Sequence, residues 1–306
     1  MIIDAHAHIV PFIRGEKGKA KTESGTYGKV KVGNETVQLL PPFLENSTFQ
    51  TEVLIGMMDD NEVDMAVILQ NPVFGVMNRE ISEAVKKYPD RFFGTIQADP
   101  YSDSSIAEIK KYYSSRQCIL KFEMSEGWGW TGRYPGLKLN GPECVKLWEL
   151  ADELNLRVII DPGPIFNKGY QIEEIREIAT GFPRVKFLIE HLGYYTADLS
   201  GNSEAHERWL RMIGLAKEKN VFLGFSAIYA LMEEDYPCPK SLGLLREANS
   251  VAGVDKILWG SDIPITLSRY TYRQMKDLID RDSTGFLTPA ERKQILGLNA
   301  MAFFED

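Results

Sequence analysis

Short apolar runs recur along the chain, and the stretches between them return an apolar residue every three or four positions. The runs are IIDAHAHI (2–9), DMAVILQ (64–70), FFGTIQA (92–98), CILKFEM (118–124), RVIID (157–161), VKFLIEH (185–191), VFLGFSA (221–227) and KILWGSD (256–262). Runs of this length, rich in β-branched and aromatic residues, predict buried strands. The intervening periodicity predicts amphipathic helices over 78–88, 141–154, 172–179, 204–219 and 239–249. Buried strands alternating with helices imply a parallel sheet, and eight such units imply an α/β fold of the closed (β/α)8, or TIM, barrel type. A single domain over 1–306 is expected.

The segment after the first strand, about 10–49, breaks the rhythm. It carries Lys17, Lys19, Lys21, Lys29 and Lys31, and KVKVGNETVQL alternates about Gly33-Asn34 as a hairpin would. A long loop leaving the C-terminal end of a barrel strand reads as a lid over an active site, or else as a solvated loop.

Composition adds exclusions. A formal net charge of -8 with no basic stripe argues against nucleic acid as a partner. Cys118, Cys144 and Cys238 are odd in number and lack CxxC spacing, so reduced thiols are expected. The start of the chain has no charged region leading an apolar run, and the longest nearly apolar stretch, 221–232, is too short to span a bilayer. A cytoplasmic protein with a small-molecule substrate and no membrane partner is the expectation.

Of the four histidines, His6 and His8 lie two apart on the first predicted strand. Side chains alternate in a strand, so both face the barrel interior, with Asp4 one layer deeper. They either converge on a metal ion or pack as two interior imidazoles, which are costly to bury without partners. The sixth predicted strand closes on His191 and the eighth on Asp262. Charged residues at the C-terminal ends of barrel strands read as catalytic, although a strand-end carboxylate can also cap a helix. Lys121 and Glu123 share a face of the fourth strand. They read as an internal ion pair, with contact of Glu123 to metal or substrate as the alternative. Glu190, adjacent to His191, is expected to point away from the interior. The loop SEGWGWTGRYPGLKLN (125–140) gathers Trp128, Trp130, Arg133 and Tyr134. Trp128 and Arg133 suit a planar carboxylated substrate by stacking and bidentate contact, unless Arg133 is simply a surface residue. Arg14 is a second substrate-binding candidate. His206, on a helix, is given no role.

The HxH pair, the histidine closing strand six and the GSD-x-P closing strand eight together resemble the amidohydrolase superfamily. The nearer likeness is to its amidohydrolase-2 branch, which includes aminocarboxymuconate-semialdehyde decarboxylase. The resemblance extends to IGMMDDNEVDMAVI (55–68), YPDRFFGTIQADP (88–100) and LNAMAFF (298–304). It implies one divalent metal ion, zinc in the first place, held by His6, His8 and Asp262. It also implies Asp262 and His191 as catalytic groups, and a homodimer. One position departs. Where the branch places a histidine ligand after strand five, the chain reads VIIDPGP (158–164), which puts Asp161 there. As a fourth ligand, Asp161 would make a harder, two-His two-Asp site, open to manganese or another harder ion. Otherwise the site is weakened, because Asp161 and Asp262 facing one cavity repel without an ion. The function expected is metal-dependent hydrolysis of a small carboxylated cyclic amide or lactone. The alternatives are non-oxidative decarboxylation of a carboxylated phenol or muconate-like acid, and a catalytically silent ligand-binding barrel.

Overall fold

The computed structural model describes residues 1–305. Every predicted strand run contains an observed strand, trimmed at its ends. These are β1 (Ile3–Ala7), β2 (Met65–Ile68), β3 (Phe92–Ile96), β4 (Ile119–Glu123), β5 (Arg157–Asp161), β6 (Lys186–Ile189), β7 (Val221–Phe225) and β8 (Ile257–Trp259). Each pairs in parallel with the next in chain order. The ring closes just past the strand ends, where Ala7 bridges Ile263, the His8 N–H donates to the Ile263 carbonyl at 2.8 Å, and the Asp262 N–H donates to the His6 carbonyl at 2.7 Å.

A helix follows each strand: α1 (Thr51–Asp60), α2 (Asn78–Lys87), α3 (Ser105–Tyr112), α4 (Pro142–Leu154), α5 (Ile172–Gly181), α6 (Ser203–Ile213), α7 (Pro239–Ala252) and α8 (Tyr272–Asp280). Their ends follow local chemistry. Pro142 opens α4, Asn155 ends it at φ +53°, and Thr271 with Gln274 forms a capping box on α8. Aromatics weld helices to strands, as where Trp148 of α4 packs against Phe122 of β4 with ring centroids 4.6 Å apart and planes tilted 54°. The three cysteines are free and buried. Among the described residues no helix is long and apolar enough to cross a membrane.

Much of the segment between β1 and α1 is ordered as a four-stranded antiparallel sheet: Glu16–Lys17, Ala20–Ser24, Lys29–Val32 and Glu35–Gln38. The hairpin at Gly33-Asn34 is one of its turns, with Gly33 at φ +57°. The sheet is pinned to the loop after β2. The Thr22 hydroxyl donates to the Val73 carbonyl at 2.6 Å, and the Glu16 N–H to the Pro72 carbonyl at 3.0 Å.

Candidate active site

The C-terminal ends of the strands open into a cavity of about 400 Å³. β1 and the residue after it bring in His6 and His8, and β4 brings Lys121 and Glu123. β5 supplies Asp161, and the turns after β6 and β8 supply His191 and Asp262. His191 and Asp262 both lie in the left-handed region, at φ +54° and +60°. Non-glycine residues rarely adopt it, and the strain is characteristic of functional positions. Two glycines make room for the cluster. A Cβ on Gly260 would sit 2.6 Å from the His6 Cβ, and one on Gly224 would sit 2.6 Å from Glu190 Oε2.

Three atoms converge on one point. His6 Nε2 and His8 Nε2 are 3.2 Å apart, and Asp262 Oδ1 lies 3.3 Å from the first and 3.1 Å from the second. The far sides of both rings are tied down. His8 Nδ1 meets the Leu69 carbonyl at 3.0 Å and His6 Nδ1 meets Glu190 Oε2 at 2.8 Å. A carbonyl or carboxylate only accepts, so each Nδ1 carries the hydrogen and each neutral Nε2 presents a lone pair. Three acceptors aimed at one another in a buried site call for a cation. The residues fit one: tetrahedral zinc, with ligands at about 2.0–2.1 Å, spaces its ligand atoms by about 3.3 Å. The hydrogen bonds behind the two rings are of the kind that fixes the tautomer of metal-binding histidines. With no ion at that point, a second proton on His6 Nε2 supplies the positive charge instead. Burial opposes its protonation, yet the Glu190 and Asp262 carboxylates push its pKa up to about 10. Burial lowers that of His8. Burial works against ionisation of Asp262 as well, but the two imidazoles hold its carboxyl well below the usual range.

A second pair sits on the β5–β6 side. Asp161 Oδ2 is 3.1 Å from His191 Nε2, and Asp161 Oδ1 accepts the Gly163 N–H at 2.9 Å. His191 Nδ1 faces the Ser226 carbonyl at 3.1 Å. Burial lowers the basicity of His191, but the carboxylate beside it prevails and raises it. In return, against burial, His191 holds Asp161 well below the usual range. Glu123 is pushed far up by burial and by the Asp161 charge next to it.

The structure thus gathers His6, His8 and Asp262 around one point and sets Asp161 against His191 instead of within that triad. Glu123 and Trp128 line the same cavity. Arg14 and Arg133 line a neighbouring cavity under the four-stranded sheet, where Arg133 is engaged by Glu16 at 2.8 Å and Asp99 at 3.6 Å. His206 pairs with Glu247 on the outside.

Two expectations are corrected. Glu190 does not point away from the interior: fully buried, it grips His6 and accepts the Ser226 hydroxyl at 2.7 Å. β6 ends at Ile189, so alternation no longer applies, and the left-handed turn at His191 lets both side chains reach the cluster. Asp4 turns to the β1–β8 seam, where it accepts Ser261 at 2.8 and 2.5 Å and the Tyr272 hydroxyl of α8 at 2.8 Å. Ser226 carried no signal in the sequence. Inward-facing Gly224 opposite a Glu-His pair was the only hint of Glu190.

A (β/α)8 barrel with a two-His, one-carboxylate donor set at its catalytic end defines a class of metal-assisted enzymes. The family described as Amidohydrolase matches residues 3–305, so the chain belongs to the amidohydrolase family and is an enzyme of that superfamily. Among solved structures it is similar to a probable 2-pyrone-4,6-dicarboxylic acid hydrolase from Acinetobacter baumannii with citric acid bound. That match has 17% identity and a TM-score of 0.72, covering 100% of this chain and 99% of that one. It is also similar to an amidohydrolase from Burkholderia multivorans with bound zinc, at 13% identity and a TM-score of 0.72, covering 99% of each chain. A third match is 5-carboxyvanillate decarboxylase from Sphingomonas paucimobilis, at 16% identity and a TM-score of 0.55, covering 82% of this chain and 81% of that one. No curated protein matches the sequence.

Proposed function

We propose that the protein is a metal-dependent hydrolase of a small carboxylated lactone or cyclic amide. The observation that carries this reading is the convergence of His6 Nε2, His8 Nε2 and Asp262 Oδ1 within 3.1–3.3 Å, each imidazole locked from behind. A divalent ion held there, zinc in the first place or manganese, supplies a Lewis acid that polarises a carbonyl and acidifies water. The remaining chemistry belongs to the chain. Asp262, kept ionised, takes the proton of the attacking water. His191, kept basic by Asp161, holds a proton to pass to the leaving oxygen or nitrogen. Trp128 and Phe74 wall the cavity against bulk water, with the four-stranded sheet as the lid beside them. A cytoplasmic homodimer completes the reading.

Non-oxidative decarboxylation is the second reading, favoured by the decarboxylases among the solved structures. There His191 would protonate the ring carbon as carbon dioxide leaves. Zinc-loaded protein assayed on carboxylated lactones and on hydroxybenzoates separates the two. Lactone opening with no carbon dioxide release is expected; carbon dioxide release alone establishes the decarboxylase, and neither activity overturns both.

A further inference from the structure

One charged atom in the cavity wall has no partner. Lys121 of β4 is 2% exposed, and its Nζ makes no hydrogen bond among the described residues. Its nearest carboxylate oxygen is Glu123 Oε2, at 3.9 Å, too far for a hydrogen bond. An unspent buried ammonium with three donors is expensive, so it marks a place where something arrives to accept them.

The carboxylates around it face other groups, and none comes closer to Nζ than the 3.9 Å of Glu123. Asp161 is held by His191 and the Gly163 N–H, Glu190 through Oε2 by His6 and Ser226 with its Oε1 left without a partner, and Glu123 by the Ser125 N–H at 3.1 Å. In a ring of eight strands β4 stands opposite β8, which delivers Asp262. Lys121 therefore lines the same cavity as the donor triad, from the strand opposite the one that delivers Asp262.

We propose that Lys121 anchors a substrate carboxylate several bonds removed from the bond that is cleaved. The substrate class is then a small lactone or cyclic amide bearing a carboxylate on the side of the ring away from the scissile carbonyl. The inference rests on the reading of this cavity as the hydrolase site. It moves the substrate's anchor from the loop arginines to a strand lysine.

The test is calorimetric titration of glutarate and of its neutral isostere glutaramide into zinc-loaded wild type, Lys121→Met and Lys121→Gln. Elemental analysis confirms equal metal content. Glutarate should bind wild type more tightly than glutaramide does. Either variant should weaken glutarate about 10- to 100-fold, the worth of one charge-assisted hydrogen bond, and leave glutaramide unchanged. Equal binding of glutarate by wild type and a folded variant overturns the proposal, as does wild type that does not prefer glutarate. If the anchor holds but no lactone or amide is turned over, it is the hydrolase reading that fails. Having two variants guards against one that does not fold.

Discussion

On the β1–β8 side of the cavity, His6, His8 and Asp262 direct three acceptor atoms at one point; on the β5–β6 side, Asp161 and His191 set an acceptor against a donor. The two clusters use the same residue types at the same depth, yet one is complete and the other is not. A carboxylate against an imidazolium satisfies itself, lowering one pKa and raising the other. Two neutral imidazoles whose hydrogens are spent on Leu69 and Glu190 have only lone pairs left for each other, so either an ion or a second proton on His6 must lie between them. On the proposed reading, what distinguishes a metal site from an acid–base pair is where the second nitrogen of each ring is spent.

The largest effect expected from that contrast is on turnover. His191→Ala should lower kcat/KM about 10²- to 10⁴-fold, the range for loss of a general acid, with metal content intact by elemental analysis. Metal lost along with activity would erase the distinction between the clusters.

Next in size is Glu190→Gln. The carboxylate that orients His6 becomes an amide, and metal affinity measured by chelator competition should fall about 10- to 100-fold. Unchanged affinity would mean that His6 is placed by packing alone.

Asp161→Asn should act on pH dependence. Asp161 raises His191, so its removal should shift the basic limb of the kcat/KM profile to lower pH. In stability, the contribution of a raised histidine is complete below its ordinary pKa of about 6.5 and is lost as pH rises through the raised value. The contribution of a depressed aspartate is present above about 3.9 and is lost as pH falls through the depressed value. The melting temperature of Asp161→Asn should therefore fall furthest below wild type between about pH 4 and 6.5. A constant difference across pH would show that the pair is not ionic.

The smallest effect belongs to Gly260→Ala. A new Cβ 2.6 Å from the His6 Cβ must displace that ring or β8, at about 1–3 kcal/mol of overpacking. Denaturant unfolding measures the loss, and wild-type stability would mean that the seam yields freely.

The barrel was legible because buried strands and amphipathic helices have different periods, and that difference survives in the sequence. His6 and His8 followed from alternation within β1, and His191 and Asp262 from their position at strand ends. Glu190 escapes strand alternation because β6 stops at Ile189 and the backbone then turns left-handed at His191. Within 10–49 the hairpin at Gly33-Asn34 follows from alternation about its turn, while Gly18 (φ +59°) and Gly28 (φ +74°) make turns between strands whose alternation is weaker. The first two strands of that sheet depend on hydrogen bonds to the loop after β2, which no local pattern records. The destinations of Arg14 and Arg133 were equally hidden: a loop arginine goes where carboxylates receive it, and Arg133 met Glu16 and Asp99.

An anomalous-scattering map of zinc-loaded crystals tests the central claim most directly. A single peak is predicted within bonding distance of His6 Nε2, His8 Nε2 and Asp262 Oδ1, with His191 still hydrogen-bonded to Asp161. A peak bound by Asp161 and His191, or no peak in fully folded protein, would contradict the account.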